Sequence, residues 1–359
     1  VTSQRQAPPY WKPASIREAS GRVYHYGSAR TLLGVVEDGV LWASEAAGLN
    51  DVAEIRGGWD FIGNWLDEQP CAEDPWYVDD EWQWNEDFDW SRQAIRLARS
   101  LTPGAGSTKN ERRRALARTA TQTFVLCAST RGDDANQWRL YGGEGRGYAI
   151  GLDASVPLAV LGDEASVPES LKSASIAAFF GNAVQVTPWL HVLYTKRQRD
   201  QALRELVEHI ADEIKEFAQK SVAASDEAVE AMGESLEDDA RAHLERIAWL
   251  IKSPGFEGEN EVRVVVTAFA PRSHLHFRES QVGIVRFYKL VGVEKRTWGV
   301  VWHQKGDLPD LGSLKAGRPP VTDVRMGPLL PSSNKEAVRA LLKQHGLPDK
   351  VRRSKVPLR

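Results

Sequence analysis

The stretch Val23-Tyr24-His25-Tyr26-Gly27-Ser28, followed by the run to Gly39 and by Val40-Leu41-Trp42-Ala43-Ser44, decides how this chain is read. Val23–Tyr26 has the β-branched and aromatic composition of a short strand. Ala29–Asp38 follows with Leu32, Leu33, Val35 and Val36 on one helical face, and Gly39 is placed to end the helix. Val40–Ser44 then returns as a strand. A strand, a helix and a strand joined by very short connections predict an α+β protein in which these elements enter one sheet.

Working outward, Asn50–Arg56 reads as a turn into an acidic, tryptophan-rich insertion spanning 57–92. Between Trp59 and Trp90 there are eleven Asp or Glu, no Lys or Arg, and six of the thirteen tryptophans, without a clean period of either kind, so irregular structure is expected there. An Arg-rich helix is expected over Lys109–Thr121, a buried strand over Phe124–Ala128, a short helix or turn at Asn136–Tyr141, and a strand at Gly147–Leu152. Further strands are expected at Ala183–Val186 and His191–Tyr194. Residues 196–252 change to helical spacing. Leu203, Leu206, Val207, Ile210, Ile214 and Phe217 form one face and Leu236, Leu244, Ile247 and Ile251 a second, which predicts a helical hairpin inserted into a sheet protein. Glu261–Ala268, Val282–Leu290 and Trp298–His303 restore strand character, and 334–359 reads as a basic helix and tail with eight Lys or Arg against two acids.

Composition bounds the function classes. The 359 residues, 42% apolar and 26% charged, are enough for one elaborated domain with a substantial core. No stretch approaches the roughly 20 apolar residues of a membrane span, and no charged-then-apolar pattern precedes the first strand, so a soluble cytoplasmic protein with no membrane partner is expected. Two cysteines, Cys71 and Cys127, fit neither a disulfide framework nor a metal-ligand spacing, and point to a reducing compartment. The net charge of −3 hides the segregation of an acidic aromatic segment from a basic tail. The segment is a candidate lid, a contact for a protein partner, or a cover for the tail. Arg112–Arg114 and the tail are either a nucleic-acid patch or solvated helix faces.

The opening element resembles the first NAD-binding element of ADP-ribosyltransferases, where a strand ends in His, a small or aromatic residue and Ser or Thr, and a helix leads to an apolar pair and a Gly. His25 stands ten residues before Val35 and fourteen before Gly39, as that element requires. The resemblance implies a split mixed sheet and NAD as substrate. A strand-end histidine can bond a ribose hydroxyl, so His25, Tyr26, Gly27, Ser28 and Ser44 are the candidate dinucleotide contacts. The alternative is a core histidine in an ordinary strand-helix-strand unit.

A longer resemblance is to the bacterial family of unknown function DUF2971. Its opening is matched by Val23–Ser28, with Gly27 in place of Thr, and its second block by Leu49, Asn50, Asp51 and Glu54, with Val52 in place of Pro. Cys127, Ser129, Asp133, Trp138, Tyr141 and the Gly147–Asp153 strand fill a third block. Lys252, Phe256, Glu259, Glu261 and Arg263 fill a fourth, and Ser354–Arg359 resembles the family's close. The resemblance implies no established activity.

Chemistry is concentrated in Glu259-Asn260-Glu261-Val262-Arg263. Read as a strand, it places two carboxylates and a guanidinium on one side and Val262, Val264 and Val266 on the other. Breaking the bond from ribose C1′ to nicotinamide builds oxocarbenium character, which a carboxylate at the 2′-hydroxyl stabilises. Glu261 is given that role, Glu259 the acceptor, and Arg263 either a carboxylate or the pyrophosphate. The alternative is a surface salt-bridge ladder on an edge strand. Asn50 and Asp51 are either ligand contacts at the cleft mouth or a helix cap or turn pair; Trp138 and Tyr141 either stack on a base or pack in the core. No metal site is expected, since His274 and His276 lack a third ligand.

The function expected is an NAD-consuming enzyme, transferring ADP-ribose to a macromolecular acceptor or hydrolysing NAD, in a toxin or phage-defence setting. The alternative is a non-enzymatic module of a defence system that binds a nucleotide signal or nucleic acid. A nuclease would need a third acidic ligand that the sequence does not show.

Overall fold

The computed structural model describes residues 11–46, 52–70, 89–102, 123–161, 184–268, 275–280, 283–292 and 318–357. The expected helix at Lys109–Thr121, the strand at Trp298–His303, Cys71, Asn50, Asp51, His274 and Arg112–Arg114 lie outside them, as do residues 71–88 of the acidic segment.

The opening unit forms as its periodicity dictates. Strand β1 (Arg22–Gly27) leads to helix α1 (Ala29–Glu37), whose N-cap Ser28 accepts the Thr31 amide at 3.3 Å. Leu32, Val35 and Val36 are buried, and Gly39, at φ +67°, turns the chain in the left-handed region toward β2 (Leu41–Glu45).

Of the segment expected to be a turn and then irregular, the described part begins as a helix instead: α2 (Val52–Asp67) covers Val52–Arg56 and the start of the acidic insertion. Trp59, Ile62, Trp65 and Leu66 fall at three- and four-residue steps and are all buried. The period is real, but the neighbouring acids and tryptophans obscure it. Helix α3 (Trp90–Leu101) follows, capped by Asp89. Strand β3 (Thr123–Ser129), helix α4 (Ala135–Leu140), β4 (Tyr148–Asp153), β5 (Leu158–Val160), β6 (Val184–Val186) and β7 (Leu190–His191) come next.

The hairpin consists of α5 (Lys196–Ser221), opened by a Thr195/Gln198 capping box, and α6 (Asp226–Leu250), capped by Ser225. Strands β8 (Glu261–Ala268), β9 (His276–Ser280), β10 (Gly283–Gly292) and β11 (Val321–Met326), helix α7 (Asn334–Gln344) and β12 (Val351–Arg353) complete the described elements.

The fold is α+β: one twelve-stranded mixed sheet with helices on both faces. Among the described strands, β11 and β12 pair in parallel and the other strand pairs are antiparallel. One face, with Val125 and Val265, packs on α2, α3, α5 and α6; the other, with Val23, Phe124, Leu126, Ala128 and Val264, packs on α1 and α7.

The sheet forks at β3. On one side β3 pairs along its length with β8. On the other, Ser129 meets Tyr24 of β1, while Phe124 and Val125 meet Glu45 and Ser44 of β2. Two leaves therefore diverge from one strand, β1-β4-β11-β12 and β2-β10 with β5 and β9. No helix among the described residues is long and apolar enough to cross a membrane.

Candidate functional site

The charged residues of the Glu259–Arg263 block meet beneath the helical layer, gathered by a lysine that follows α6. Lys252 Nζ donates to Glu259 Oε2 at 2.8 Å and to Glu261 Oε2 at 2.9 Å. Arg263 grips Glu261 through Nε at 2.7 Å and a terminal nitrogen at 3.0 Å, and its other terminal nitrogen donates to the Trp249 carbonyl at 2.7 Å. All four side chains are buried. Burial alone would favour a neutral Glu261, but Arg263 and Lys252 hold its carboxyl down at about 2. The cluster is a balanced set of two anions and two cations in a low-dielectric setting.

Two expectations are corrected by this geometry. Glu259 does not lie on the strand: a 3₁₀ turn over Pro254–Glu259 ends at Asn260 in the left-handed region (φ +47°), and β8 begins at Glu261. The carboxylates converge because Lys252 collects them, not because they alternate along one strand. Nor is β8 an edge with a surface ladder, since β3 flanks it on one side and β6 and β7 on the other.

Three further groups face the cluster. Tyr194 accepts the Glu261 amide on its hydroxyl at 3.0 Å, and burial pushes its pKa up to about 12. Cys127, directly opposite Arg263 on β3, has its thiol pushed up by burial first and then by the charge of Glu261, so it is no thiolate nucleophile. Tyr141 is 46% exposed and senses Lys252, Glu259 and Glu261. Its hydroxyl is pushed up mainly by burial. The Phe256 ring lies 4.8 Å from Lys252 Nζ.

His25 does not share this site. It pairs with Ile150 of β4, which is in the core beneath α1, whereas its neighbours Tyr24 and Tyr26 pack with Trp138 on the other face. Tyr24 pairs with Ser129 and Ser129 with Glu261, so register puts those three on one face and His25 on the opposite one. His25, a candidate dinucleotide contact, is therefore on the opposite face of the sheet from Glu261. His25 has another task. In the fork its Nδ1 lies 2.8 Å from the Cys127 carbonyl, which can only accept, so Nδ1 carries the proton. Burial lowers the pKa of the ring and keeps it neutral.

The remaining candidates are structural contacts. Tyr26 donates its hydroxyl to the Arg131 carbonyl at 2.8 Å, Gly27 sits against Thr31, Ser28 caps α1, and Ser44 accepts from Arg278 at 2.9 Å. Trp138 is 0% exposed and donates to Asp133 at 2.9 Å, which leaves no ring face for a ligand. Asp133 also takes the Ser354 hydroxyl and the Lys355 amide, with Arg325 at 3.6 Å; it ties the C-terminal tail over Trp138 and Tyr26. Burial would raise its carboxyl, but these donors hold it below the ordinary value.

Residues 137–264 match the profile of a family described as protein of unknown function (DUF2971). That segment is similar to DUF2971. The resemblance read from the sequence is thus shown for this part of the chain. The matched segment contains Tyr141, Tyr194, both long helices and all four charged residues of the cluster, whereas His25 and Cys127 precede it. No curated protein and no solved structure matches the chain.

Sequence reading omitted Tyr194 and gave Lys252 no role. The signals for Lys252 were its place at the head of the family-like block that ends in Glu259, Glu261 and Arg263 and its position directly after the apolar run Ile247–Ile251. Nothing in the sequence marked Tyr194 as different from its apolar neighbours.

Proposed function

We propose that this protein consumes NAD, either transferring ADP-ribose to a macromolecular acceptor or hydrolysing NAD, with Glu261 as the carboxylate presented to the reacting ribose. The observation that carries the reading is a buried Glu261 kept ionised beside a second carboxylate, within electrostatic reach of the exposed Tyr141. A fixed anion in a dry site is what an oxocarbenium-like transition state requires. Lys252 already bonds both glutamates, so moving wholly onto Glu259 leaves Glu261 Oε2 with its Arg263 bond alone and opens a lone pair of that oxygen to the ribose. Glu259 then assists the acceptor, and Tyr141 offers a ring for stacking. His25 has no part in this site.

The second reading is a binding module for a nucleotide signal or nucleic acid in a bacterial defence system. It is favoured by one observation: both oxygens of Glu261 are already satisfied by cations. The experiment is calorimetry with NAD, together with nicotinamide release, on the full chain and on the Glu259→Gln and Tyr141→Ala variants. Release that falls in Glu259→Gln supports the enzyme. Binding of NAD without release, or salt-dependent nucleic-acid binding that survives Glu259→Gln, supports the module. An absence of NAD binding sinks the first reading.

A further inference from the structure

The helical hairpin carries a second cluster that the glutamate site does not use. On α5, His209 and Glu213 stand four residues apart and so share a face; on α6, Asp239 and His243 do the same in the opposite order. His209 Nε2 lies 3.1 Å from Glu213 Oε1, and His243 Nε2 lies 3.8 Å from the same oxygen. One ligand atom from each of the three side chains falls within 4.8 Å of the others.

Two observations separate this group from an ordinary ion pair. His209 Nε2 and Glu213 Oε2 are both buried without a hydrogen-bond partner, although a histidine and a carboxylate so close would normally complete a bond. The rings are also held in place from outside. Trp11 stacks on His209 at 4.0 Å and 3°, and meets His243 edge-on at 5.2 Å. Arg246 donates to the Trp11 carbonyl at 2.6 Å and lies 3.2 Å from His243 Nδ1.

We propose that His209, Glu213 and His243 form a binding site for a divalent transition-metal ion, zinc by preference. An ion about 2.1 Å from each atom would subtend roughly 95° across the 3.1 Å pair and roughly 130° across the 3.8 Å pair, near the range four-coordinate zinc accepts, and would hold the two imidazole nitrogens, now within 4.8 Å, at no more than about 4.2 Å. Two imidazoles and a carboxylate are a donor set for zinc, and imidazole also suits copper, iron and nickel. Asp239, one turn before His243 and within the field of Glu213, is the nearest further carboxylate; otherwise the fourth position is left to water or another ligand. Ligation through Nε2 requires His243 to carry its proton on Nδ1, the atom now facing Arg246, which retains the Trp11 carbonyl as its acceptor. The ion would join α5, α6 and the segment at Trp11 through one centre.

The test uses the full chain without a histidine tag, stripped with a chelator and titrated with zinc, cobalt and nickel by calorimetry and by metal analysis after dialysis. One zinc ion per chain is expected, with a melting temperature that rises with zinc concentration. Cobalt should give the visible spectrum of a low-coordinate site. His209→Gln and Glu213→Gln, each checked for fold by circular dichroism, should weaken zinc binding by more than about tenfold. Glu216→Gln, an exposed change on the same helix, should bind as the parent does. Failure of all three metals to bind stoichiometrically overturns the proposal, as does binding that persists undiminished in the His209→Gln/Glu213→Gln double variant.

Discussion

Removing the charge of Glu261 would leave Lys252 and Arg263, both buried, facing a single carboxylate. Breaking a buried pair in this way costs about 3–5 kcal/mol, so Glu261→Gln should lower the urea midpoint sharply even if no chemistry occurs there. The same carboxyl makes stability depend on acid. Its pKa is depressed in the folded chain to about 2, so its contribution is complete above the ordinary carboxylate range and is lost as pH falls from about 4.5 toward 2. Glu245 has the opposite sign. Burial raises it to about 7 against the Thr123 hydroxyl bond at 2.8 Å, so the folded chain keeps a proton that the unfolded chain releases, and stability falls as pH rises from about 4.5 to 7. Glu245→Gln should therefore raise the melting temperature at pH 8, by the equivalent of up to about 3 kcal/mol, and do little at pH 4. At this scale the sequence revealed Glu259, Glu261 and Arg263 as a chemical unit, because their spacing is local. It did not reveal Tyr194, which reaches Glu261 from 67 positions away.

Among the elements, α2 was misread. Its acids and tryptophans hid an apolar stripe that only becomes evident against α6, where Gly58 permits the two helices to touch. A Cβ at Gly58 would stand 2.2 Å from the Ala248 carbonyl oxygen, a backbone atom that cannot step aside. Gly58→Ala should force the helices apart and cost about 1–3 kcal/mol, despite the better helix propensity of alanine, which thermal denaturation would detect. The hairpin and the opening strand-helix-strand unit were legible for the reverse reason: their apolar residues recur at helical or strand spacing without interruption. Which face of the sheet each side chain takes was not legible. That depends on the pairing of β1 with β3, whose partners are separated by about a hundred residues, and one chain carries no local record of such a register.

Across the whole molecule, Asp133 connects two distant parts of the chain. Through Trp138, Ser354, Lys355 and Arg325 it fastens the tail beside Tyr26. Asp133→Ala should loosen the tail before it unfolds the core, and trypsin should cut faster at Arg352, Arg353 and Lys355 while the remainder resists. The family block Asp133…Trp138 and the Ser354-Lys355 ending were read from the sequence as separate marks; folding makes them two halves of one fastening. The fork at β3 has a consequence for motion. Among the described residues, strand pairing connects the two leaves of the sheet only through β3, so that strand is a spine about which they can swing, and the bond from His25 to the Cys127 carbonyl is a latch set in the crotch. His25→Phe would open the latch, leaving a carbonyl unpaired at a cost of about 1–3 kcal/mol. Relaxation-dispersion NMR should then detect microsecond-to-millisecond exchange at amides of β1 and β2 together, while β8 stays quiet. The histidine that first suggested a ligand pocket would on that result be a brake on the breathing of the sheet.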